Sequence, residues 1–418
     1  MLCTTRRAAK ILAAAAVIPA GLLLAGAASP AAAATSTTST TSTTSAQAAQ
    51  AAPAALAQAQ HHAERRYHVR QVLFGSKLRH TFLAAGSAKR RSEPLTQPDD
   101  ITRIGRDLFT GFQNGVGPQG QASTDGNRDS TIVEFTASGR VIRQWDVRGK
   151  CDGLTADPAR HLVIATVNED ANSSVYTITP GARTGTEVRH YRYNEPLPHN
   201  GGTDAISIYH GLVLISASAP GTTGAAAPQP AYPAAYSVTF DRAARVATVT
   251  PLFFDEAAAT VANTGADHGQ AVKLGLTDPD SNEVVPRSGP RFAGDFMLTS
   301  QGDKEQIFTG RRGGLGQRLA VLRLSQSVDD TAWATSRSGH LFAADHDGDT
   351  IDMITGPFGP GQVFVAVTPC DADNAPATCP GPGFPANYLG SLNPWTGHIS
   401  RVPITGPSPE PQGMIFVA

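Results

Sequence analysis

Five short segments of the sequence place an acidic residue directly before an apolar stretch. Carboxylates that gather at one place suit a hard cation such as Ca²⁺, which takes six to eight oxygen ligands. The same residue type also caps turns by bonding to its own backbone, so both roles are open for each of them. The segments are PDDIT, CDGLT, TDAIS, DPDSN and VDDTA, and their acidic residues are Asp99, Asp100, Asp152, Asp204, Asp280, Asp329 and Asp330.

These acidic segments recur at a nearly constant interval. Asp100, Asp152 and Asp204 follow one another at 52 residues, and Asp280 and Asp330 are 50 residues apart. Each segment precedes short apolar runs that favour strands, such as HLVIATVNED and SSVYTITP. A unit of about 50 residues with four strands predicts a β-propeller blade. The all-β chain then holds six blades, with seven as the alternative, and the terminal PQGMIFVA enters an end blade and closes the ring.

An α/β hydrolase is the competing fold, but it needs helical patterns of about 10 to 15 residues between strands. Such patterns are absent after residue 98. In a propeller, the start of the innermost strand and the end of the second strand lie on the same face, so the sequence predicts a polar face at the channel mouth. We expect ligand binding there by Asp100, Asn114, Asp152, Asp280, Asp330 and Asp345, with Asn168, Glu169, Asp204, Ser218, Gln301, Asp303 and Asp347 on the same face.

The repeated pattern of an acidic residue with Gly or Ala, an apolar strand and a polar end such as VNED resembles six-bladed propellers of the gluconolactonase and NHL-repeat group. Members with lactonase activity hold a divalent ion at the channel mouth with Glu, Asn and Asp. The resemblance implies Asn168, Glu169 and Asp204 as ligands of an ion such as Ca²⁺. The first segment carries Asp99 and Asp100 where that group has Glu. In repeat style the chain is more similar to exported propellers of high-GC Gram-positive bacteria, whose activity the resemblance does not supply.

Two further segments could carry chemistry. LPHNGGTD places His199 beside a flexible Gly pair, where a neutral imidazole could act as a general base, with Asp204 as the other catalytic candidate. The alternative for His199 is a loop histidine bonded to the backbone. DHDGDT, from Asp345 to Thr350, alternates carboxylates as a calcium loop does, but an Asp-Gly hairpin turn gives the same pattern.

The N-terminal part differs in composition from the rest. Residues 1–97 hold 11 Lys and Arg against 2 Asp and Glu, whereas the remainder holds 23 against 33. A positive start, an apolar run and an alanine-rich end predict a secretory signal, of the Sec type or, as the alternative, the twin-arginine type. No later stretch is apolar and long enough to anchor the protein in a membrane. The predicted regions are a signal peptide (1–34), a disordered Thr/Ser/Ala linker (35–60), a basic solvated arm (61–97) and the propeller (98–418).

The cysteines fit an oxidising compartment. Cys370 and Cys379 flank a short loop, which predicts a disulfide, and Cys151 is expected to be a buried inert thiol.

The sequence therefore predicts a secreted, monomeric β-propeller that binds a small molecule or a cell-envelope component at an acidic face, with Ca²⁺ as the expected ion. A metal-dependent lactonase or esterase and a non-catalytic protein-interaction platform are the alternatives. Nothing in the acidic body resembles nucleic-acid recognition.

Overall fold

The computed structural model describes residues 66–198, 201–218, 231–310, 313–371 and 386–418. Within these ranges the chain forms 29 strands and a single-turn 3-10 helix at Gly75–Lys77, with no α-helix. The prediction of an all-β protein is confirmed. No helix in these ranges is long and apolar enough to cross a membrane. The predicted signal peptide and linker lie outside the described residues.

The strands of the first part are short and rich in β-branched and aromatic residues, as strands require. They are β1 (Tyr67–Phe74), β2 (Arg79–Leu83), β3 (Arg90–Pro94), β4 (Pro98–Ile104), β5 (Asp107–Phe112), β6 (Asp129–Thr136), β7 (Val141–Arg148), β8 (Cys151–Asp157), β9 (Leu162–Val167), β10 (Ser174–Ile178), β11 (Val188–Tyr193), β12 (Ile206–Tyr209), β13 (Leu212–Ser216), β14 (Pro233–Asp241) and β15 (Val246–Phe254).

The strands of the second part of the chain, from residue 258 on, are also short. They are β16 (Ala258–Val261), β17 (Ala271–Lys273), β18 (Pro279–Val284), β19 (Phe296–Ser300), β20 (Glu305–Thr309), β21 (Leu319–Arg323), β22 (Val328–Trp333), β23 (His340–Asp345), β24 (Thr350–Thr355), β25 (Val363–Val367), β26 (Tyr388–Leu392), β27 (Ile399–Arg401), β28 (Ile404–Thr405) and β29 (Pro411–Val417).

The strands pair in antiparallel units of four. β4 to β7, β8 to β11, β12 to β15 and β18 to β21 each form one unit in chain order, and the last two units are β22-β25-β26-β27 and β29-β23-β24-β1. The innermost strands β4, β8, β12, β18, β22 and β29 contact one another in this cyclic order. Four-stranded sheets arranged radially around a central channel are the β-propeller architecture.

Burial explains the difference between inner and outer strands. The second strands of the units, such as β9 and β25, are covered on both faces and read as continuous apolar runs, LVIATV and VFVAV. The outermost strand β7 instead alternates, with Trp145 and Val147 buried and the residues between and beside them more exposed. Neighbouring units pack their apolar faces together, as where Phe109 and Ile132 of the first unit meet Leu154 and Val163 of the second.

Strands from both ends of the chain complete the last unit. β29 pairs with β23 as its innermost strand, which confirms the predicted position of the terminal segment. β1 pairs antiparallel with β24 as its outermost antiparallel strand, from His68 opposite Thr355 to Phe74 opposite Thr350. The boundary predicted at Pro98 is therefore wrong, because pairing with the propeller begins at Tyr67. The basic residue at an exposed position of this strand, Arg70, gives it the composition of a solvated arm.

Residues 75–97 of the predicted arm are also folded. β2 and β3 form a hairpin whose buried face carries His80 and Phe82. The Nε2 atom of His80 lies 3.0 Å from a carboxylate oxygen of Glu93, and its Nδ1 lies 3.5 Å from Asp146 of β7. These ion pairs outweigh the desolvation that lowers the pKa of His80, and the net effect is a raised pKa. The hairpin is thus fastened to the first unit.

The place of β1 in the last unit gives a test. Tyr67 is buried, its ring packs against Phe358 and Phe364, and its hydroxyl donates to Gln362 at 3.0 Å. Tyr67→Ala should lower the free energy of unfolding by about 3–5 kcal/mol, as for other buried aromatic truncations. Tyr67→Phe, which loses only the hydroxyl, should cost about 1 kcal/mol. Chemical denaturation measures both, and an unfolding curve unchanged by Tyr67→Ala would show that the segment is a solvated arm after all.

Candidate functional site

Four of the five acidic segments lie in β-bulges at the start of innermost strands, and the fifth, with Asp204, lies directly before β12. In β4, β8, β18, β22 and β29 the register shifts so that two residues oppose a single residue of the second strand. A bulge adds twist and re-aims the side chains of its residues, here at the mouth of the channel. The bulged pairs are Asp99–Asp100, Asp152–Gly153, Asp280–Ser281, Asp329–Asp330 and Gln412–Gly413.

Asp100 and Asp330 connect neighbouring units. The carboxylate of Asp100 accepts from the backbone N–H of Ile101 at 2.6 Å and from Leu154 of the next inner strand at 2.7 Å. Asp330 repeats the arrangement with Thr331 and with Met414, at 2.6 and 2.5 Å. These two residues, predicted as ligand-binding, have both oxygens engaged with backbone donors. The alternative role, capping of turns, explains these two residues. Each carboxylate caps its own bulge and also bonds to the backbone of the neighbouring inner strand.

The close approach of inner strands also requires glycine at two bulges. A Cβ on Gly153 would collide with the carbonyl oxygen of Asp204, and one on Gly413 would collide with the backbone of Asp99 and Asp100. At these two places the bulged strands therefore pack against their neighbours through backbone. Acidic residues of the bulges line the space that remains.

That space is a cavity of about 560 Å³ at the channel mouth. Among the described residues, Lys150 supplies the only Lys or Arg side chain in its lining, beside His346 and ten carboxyl groups. The carboxyl groups belong to Asp99, Asp100, Asp152, Glu169, Asp204, Asp280, Glu283, Asp329, Asp330 and Asp371. The structure thus brings together every repeated acidic segment identified in the sequence.

Lys150 offsets part of this charge on one side of the cavity. Its ammonium group lies 2.7 Å from Oδ1 of Asp152 and also contacts Glu169. Burial lowers the pKa of Lys150, but the charges of Asp152, Glu169 and Asp99 outweigh burial and raise it well above its usual value. Gln113 donates to the same Oδ1 of Asp152 at 2.9 Å. The other oxygen of Asp152 is buried and has no hydrogen-bond partner.

Asp204 and Asp280 form a hydrogen-bonded carboxyl pair on the neighbouring side. Burial and the charge of Glu169 raise the pKa of Asp204 to about 6. The pKa of Asp280 is raised well above its usual value by burial and by the charges of Asp329 and Asp204, and its carboxyl donates to Asp204. Oδ2 of Asp280 is buried without a partner. Two acidic groups this close share a proton, because both cannot ionise cheaply.

The remaining carboxyl groups of the cavity show the same electrostatics. Burial is the largest cause of raised pKa values at Asp99, Asp329 and Glu283, and neighbouring carboxylates add to it. Burial also raises the pKa of Asp330 to about 6, against the effect of its two backbone hydrogen bonds. The cavity is therefore a strongly negative site in which protonation or a bound cation relieves repulsion.

Two predicted residues, Asn114 and Asn168, lie outside the cavity lining. Both follow the second strand of a unit and have positive φ angles, 54° and 66°, which Asn tolerates better than most residues. The side-chain oxygen of Asn114 accepts from Thr96 N–H at 3.1 Å, and that of Asn168 from Lys150 N–H at 3.0 Å. Their amides hold loops rather than a ligand.

Of the other residues predicted on this face, some line the cavity and some do not. Gln301 lines the cavity and donates to Thr368 at 3.0 Å, whereas Ser218 and Asp303 do not line it. Asp345 accepts from Gly348 N–H at 2.9 Å, which identifies DHDGDT as a hairpin turn, and Asp347 is exposed beside His346. None of the three residues Asp303, Asp345 and Asp347 belongs to the lining of the cavity.

The residues implied as Ca²⁺ ligands each have another partner. The oxygen of Asn168 is engaged with backbone, Glu169 contacts Lys150, and Asp204 is bonded to Asp280. Over the ranges described, no group of three or more His, Cys, Asp and Glu side chains is placed to hold a metal ion. These three residues therefore do not fit a single shared cation.

Several cavity residues were not singled out from the sequence. Glu283 and Asp371 lie outside the bulges, and Lys150 and His346 directly adjoin predicted residues. Of these residues, only Lys150 carries a signal in the sequence. It lies two residues before Asp152, and a basic residue this close to an acidic repeat position favours an ion pair. In the two segments with paired acidic residues, the sequence predicts ligand binding by Asp100 and Asp330, whereas their neighbours Asp99 and Asp329 line the same cavity.

The cysteines and His199 are the remaining residues with a role predicted from the sequence. Cys151 is a free, buried thiol, as predicted, and burial raises its pKa well above the usual value, so it is not a nucleophile. His199 and Cys379 lie outside the described residues, so the catalytic role of the first and the disulfide between Cys370 and Cys379 stay predictions.

No family model matches this sequence, and no curated protein matches it. Among solved structures, the periplasmic gluconolactonase of Pseudomonas aeruginosa is 13% identical over 84% of this chain and 99% of its own, with a TM-score of 0.40. A protein of unknown function from Bacteroides caccae is 9% identical over 85% and 99%, with a TM-score of 0.40. The WD40 propeller domain of Doa1 is 9% identical over 75% and 84%, with a TM-score of 0.36. Similarity of this size gives no activity to the chain, and these three do not bear on the resemblance to high-GC Gram-positive propellers.

The raised pKa values predict how stability depends on pH. A carboxyl group with a higher pKa in the folded state binds protons more tightly there, so folding is favoured at low pH and loses stability as pH rises through the folded pKa. For Asp204 and Asp330 this window runs from about 4 to above 6, and a shift to about 6 corresponds to about 3 kcal/mol for each group. Urea unfolding at constant ionic strength should therefore give a larger free energy at pH 4.5 than at pH 7.5. A free energy that rises over this range would contradict the burial of these charges.

Proposed function

We propose that this chain is an exported β-propeller that binds a small cationic ligand in the acidic cavity of its central channel. One observation carries the proposal: ten carboxyl groups line the cavity, and among the described residues Lys150 is the one Lys or Arg side chain that offsets them. Three buried acceptors of the lining residues, on Asp152, Asp280 and Asn282, also lack hydrogen-bond partners. Buried charges are normally paired, so this excess of carboxyl groups marks a place for a cation.

The charge of the cavity decides the kind of ligand. Asp152 is 4% exposed, and its second oxygen is without the donor that a buried carboxylate requires. A neutral ligand could supply a hydrogen bond, but it would leave the repulsion among the carboxylates in place. A cation supplies both the donor or coordination and the opposite charge. Anionic ligands are disfavoured for the same reason.

Export and cell-envelope contact belong to this proposal. The secretory signal predicted from the N-terminal sequence supports delivery outside the cytoplasm, where the ligand is either a free small molecule or a cationic group of a cell-envelope component. Ca²⁺ and other divalent ions are candidate ligands among the cations, and the chain is proposed to act as a monomer.

The test is a comparison of cations with uncharged and anionic compounds. Ca²⁺, Mg²⁺ and a butane-1,4-diamine salt are compared with butane-1,4-diol and succinate at constant ionic strength. At least one cation should raise the melting temperature at pH 7.5, equivalent to about 2.7 kcal/mol at one hundred times its dissociation constant, and the diol and succinate should not.

The variants Asp152→Asn and Asp280→Asn should reduce this increment, since each removes one acidic group from the cavity lining. Asp125→Asn is the matched control, because Asp125 is exposed and outside the cavity. Equal increments in all three variants would show that the cations bind elsewhere, and no increment with any cation would overturn the proposal.

A hydrolase acting on lactones or esters is the second candidate. The observation that favours it is the Asp204–Asp280 pair, since one member with a pKa of about 6 and a second that is protonated could serve as general base and general acid. The resemblance to lactonase propellers points to the same class of substrate.

Turnover separates the two candidates. If the chain is a hydrolase, δ-gluconolactone or a chromogenic ester should be hydrolysed above the spontaneous rate, and Asp204→Asn should lower kcat at least tenfold. Asp125→Asn should leave kcat unchanged. Binding without turnover would support the binding role alone, and a protein-interaction platform remains if neither binding nor turnover is found.

A further inference from the structure

We propose that the chain has a second binding site, an apolar cavity between its second and third units that takes a small amphipathic carboxylate with an apolar body and one anionic end. This cavity is separate from the acidic one, and its ligand carries the opposite charge. The inference therefore goes beyond the proposed function and does not rest on it.

The second and third units form one continuous sheet of eight strands. Their outermost strands, β11 and β15, pair in parallel, with Arg192 opposite Val246 and Tyr193 opposite Ala247. Their innermost strands, β8 and β12, contact each other. The sheet therefore folds back on itself like a small barrel, and ligand sites occur preferentially at the mouths of β-barrels.

A cavity of about 480 Å³ lies at one end of this folded sheet. Arg160 and Gly211 line it, and they belong to the turns that follow β8 and β12. The acidic residues Asp152 and Asp204 lie at the other end of the same two strands. The two cavities are thus on opposite faces of the ring, and the volume of the second one falls in the range of sites for small organic molecules.

Apolar side chains make up most of the cavity wall. Tyr191 and Phe240 meet edge to face with their ring centroids 5.0 Å apart, and Leu212 is 47% exposed. Leu212 is one of four large apolar side chains that the described part of the chain exposes to this extent. The apolar wall is completed by Leu162, Ile164, Val213 and Val238. An apolar ligand body that covers this surface removes it from water, which favours binding.

The charged residues of the cavity select an anion. Its lining includes Asp157, Arg160 and Arg242. The carboxylate of Asp157 already has its partners, since it accepts from the guanidinium of Arg160 at 2.6 Å and from the backbone N–H of Arg160 at 3.2 Å. Arg242 is exposed, and within the described ranges its guanidinium has no ion-pair partner. The neighbouring carboxylate, Asp241, accepts two backbone N–H groups of its own turn.

A carboxylate fits this unpaired guanidinium. The planar donors of arginine match the two oxygens of a carboxylate in a charge-assisted pair. The ligand then places its apolar body against Tyr191 and Phe240 and its anionic end at Arg242, where water also reaches. A cationic end would meet only the carboxylate of Asp157, which is already engaged with Arg160.

The experiment is isothermal titration calorimetry on the full exported chain at pH 7.5 and constant ionic strength. The probes are octanoate, butanoate and octan-1-ol, of which the second lacks most of the apolar body and the third lacks the charge. Octanoate should bind about tenfold more tightly than either of them, since it alone makes both kinds of contact. Octylammonium, which the acidic cavity can bind, should not displace octanoate.

Variants then locate the site. Leu212→Asp places a carboxylate in the cavity and should lower the affinity for octanoate about tenfold. Leu83→Asp is its matched control, because Leu83 is 59% exposed and lies on the β2–β3 hairpin. Arg242→Gln should also lower the affinity, whereas Arg140→Gln, in the corresponding turn between β6 and β7 of the first unit, should not. Circular dichroism checks that each variant is folded.

The outcomes decide between this inference and its alternatives. If octan-1-ol binds as tightly as octanoate, or Arg242→Gln has no effect, the cavity does not select an anion and the inference is wrong. If butanoate binds as tightly as octanoate, or the two leucine variants behave alike, anions bind elsewhere on the surface and the inference is again wrong. Asp152→Asn should leave octanoate binding unchanged, so the failure of either proposal leaves the other standing.

Discussion

The bulge at the start of five of the six inner strands is the constraint on which the channel mouth depends. Two residues there oppose one on the second strand, so the chain turns its acidic side chains toward the axis while the backbone continues in the sheet. The inner strands come so close that Gly153 and Gly413 have no room for a side chain. Packing of the ring and crowding of carboxylates thus have one geometric cause.

Crowded carboxylates must be offset, and the protein does so in three ways. Asp100 and Asp330 accept backbone N–H groups of the next strand, Lys150 neutralises Asp152 and Glu169, and Asp204 and Asp280 share a proton. The first and third of these contacts also join neighbouring units of the ring. They leave other carboxyl groups of the cavity, such as Asp99 and Asp329, crowded together, and this excess of charge is what makes the cavity a candidate site rather than a capped structural core.

Closure of the ring couples both chain ends to this site. β29 contributes Gly413 beside Asp100 and its N–H at Met414 to Asp330, and β1 covers the same unit from the outside. In the last two units the chain order is interleaved, since β22 pairs with β25 while β23 and β24 pair with the terminal strands. Such long-range pairing forms only after most of the chain has been brought together, and β29, which pairs last in chain order, supplies Gln412, Gly413 and Ile415 to the cavity lining.

The sequence by itself determined the strand content, the repeat and the convergence of its acidic segments, because period-2 patterns, turn residues and a 52-residue spacing are local or one-dimensional signals. It did not determine what each polar residue does. Asn114 and Asn168 hold loops, Asp345 caps a turn, and Lys150 and Glu283 enter the cavity, since these roles depend on which strand lies alongside. Only the tertiary structure decided that Tyr67–Phe74 belongs to the ring, because its partner, β24, lies nearly 300 residues away and an isolated basic strand carries no sign of it.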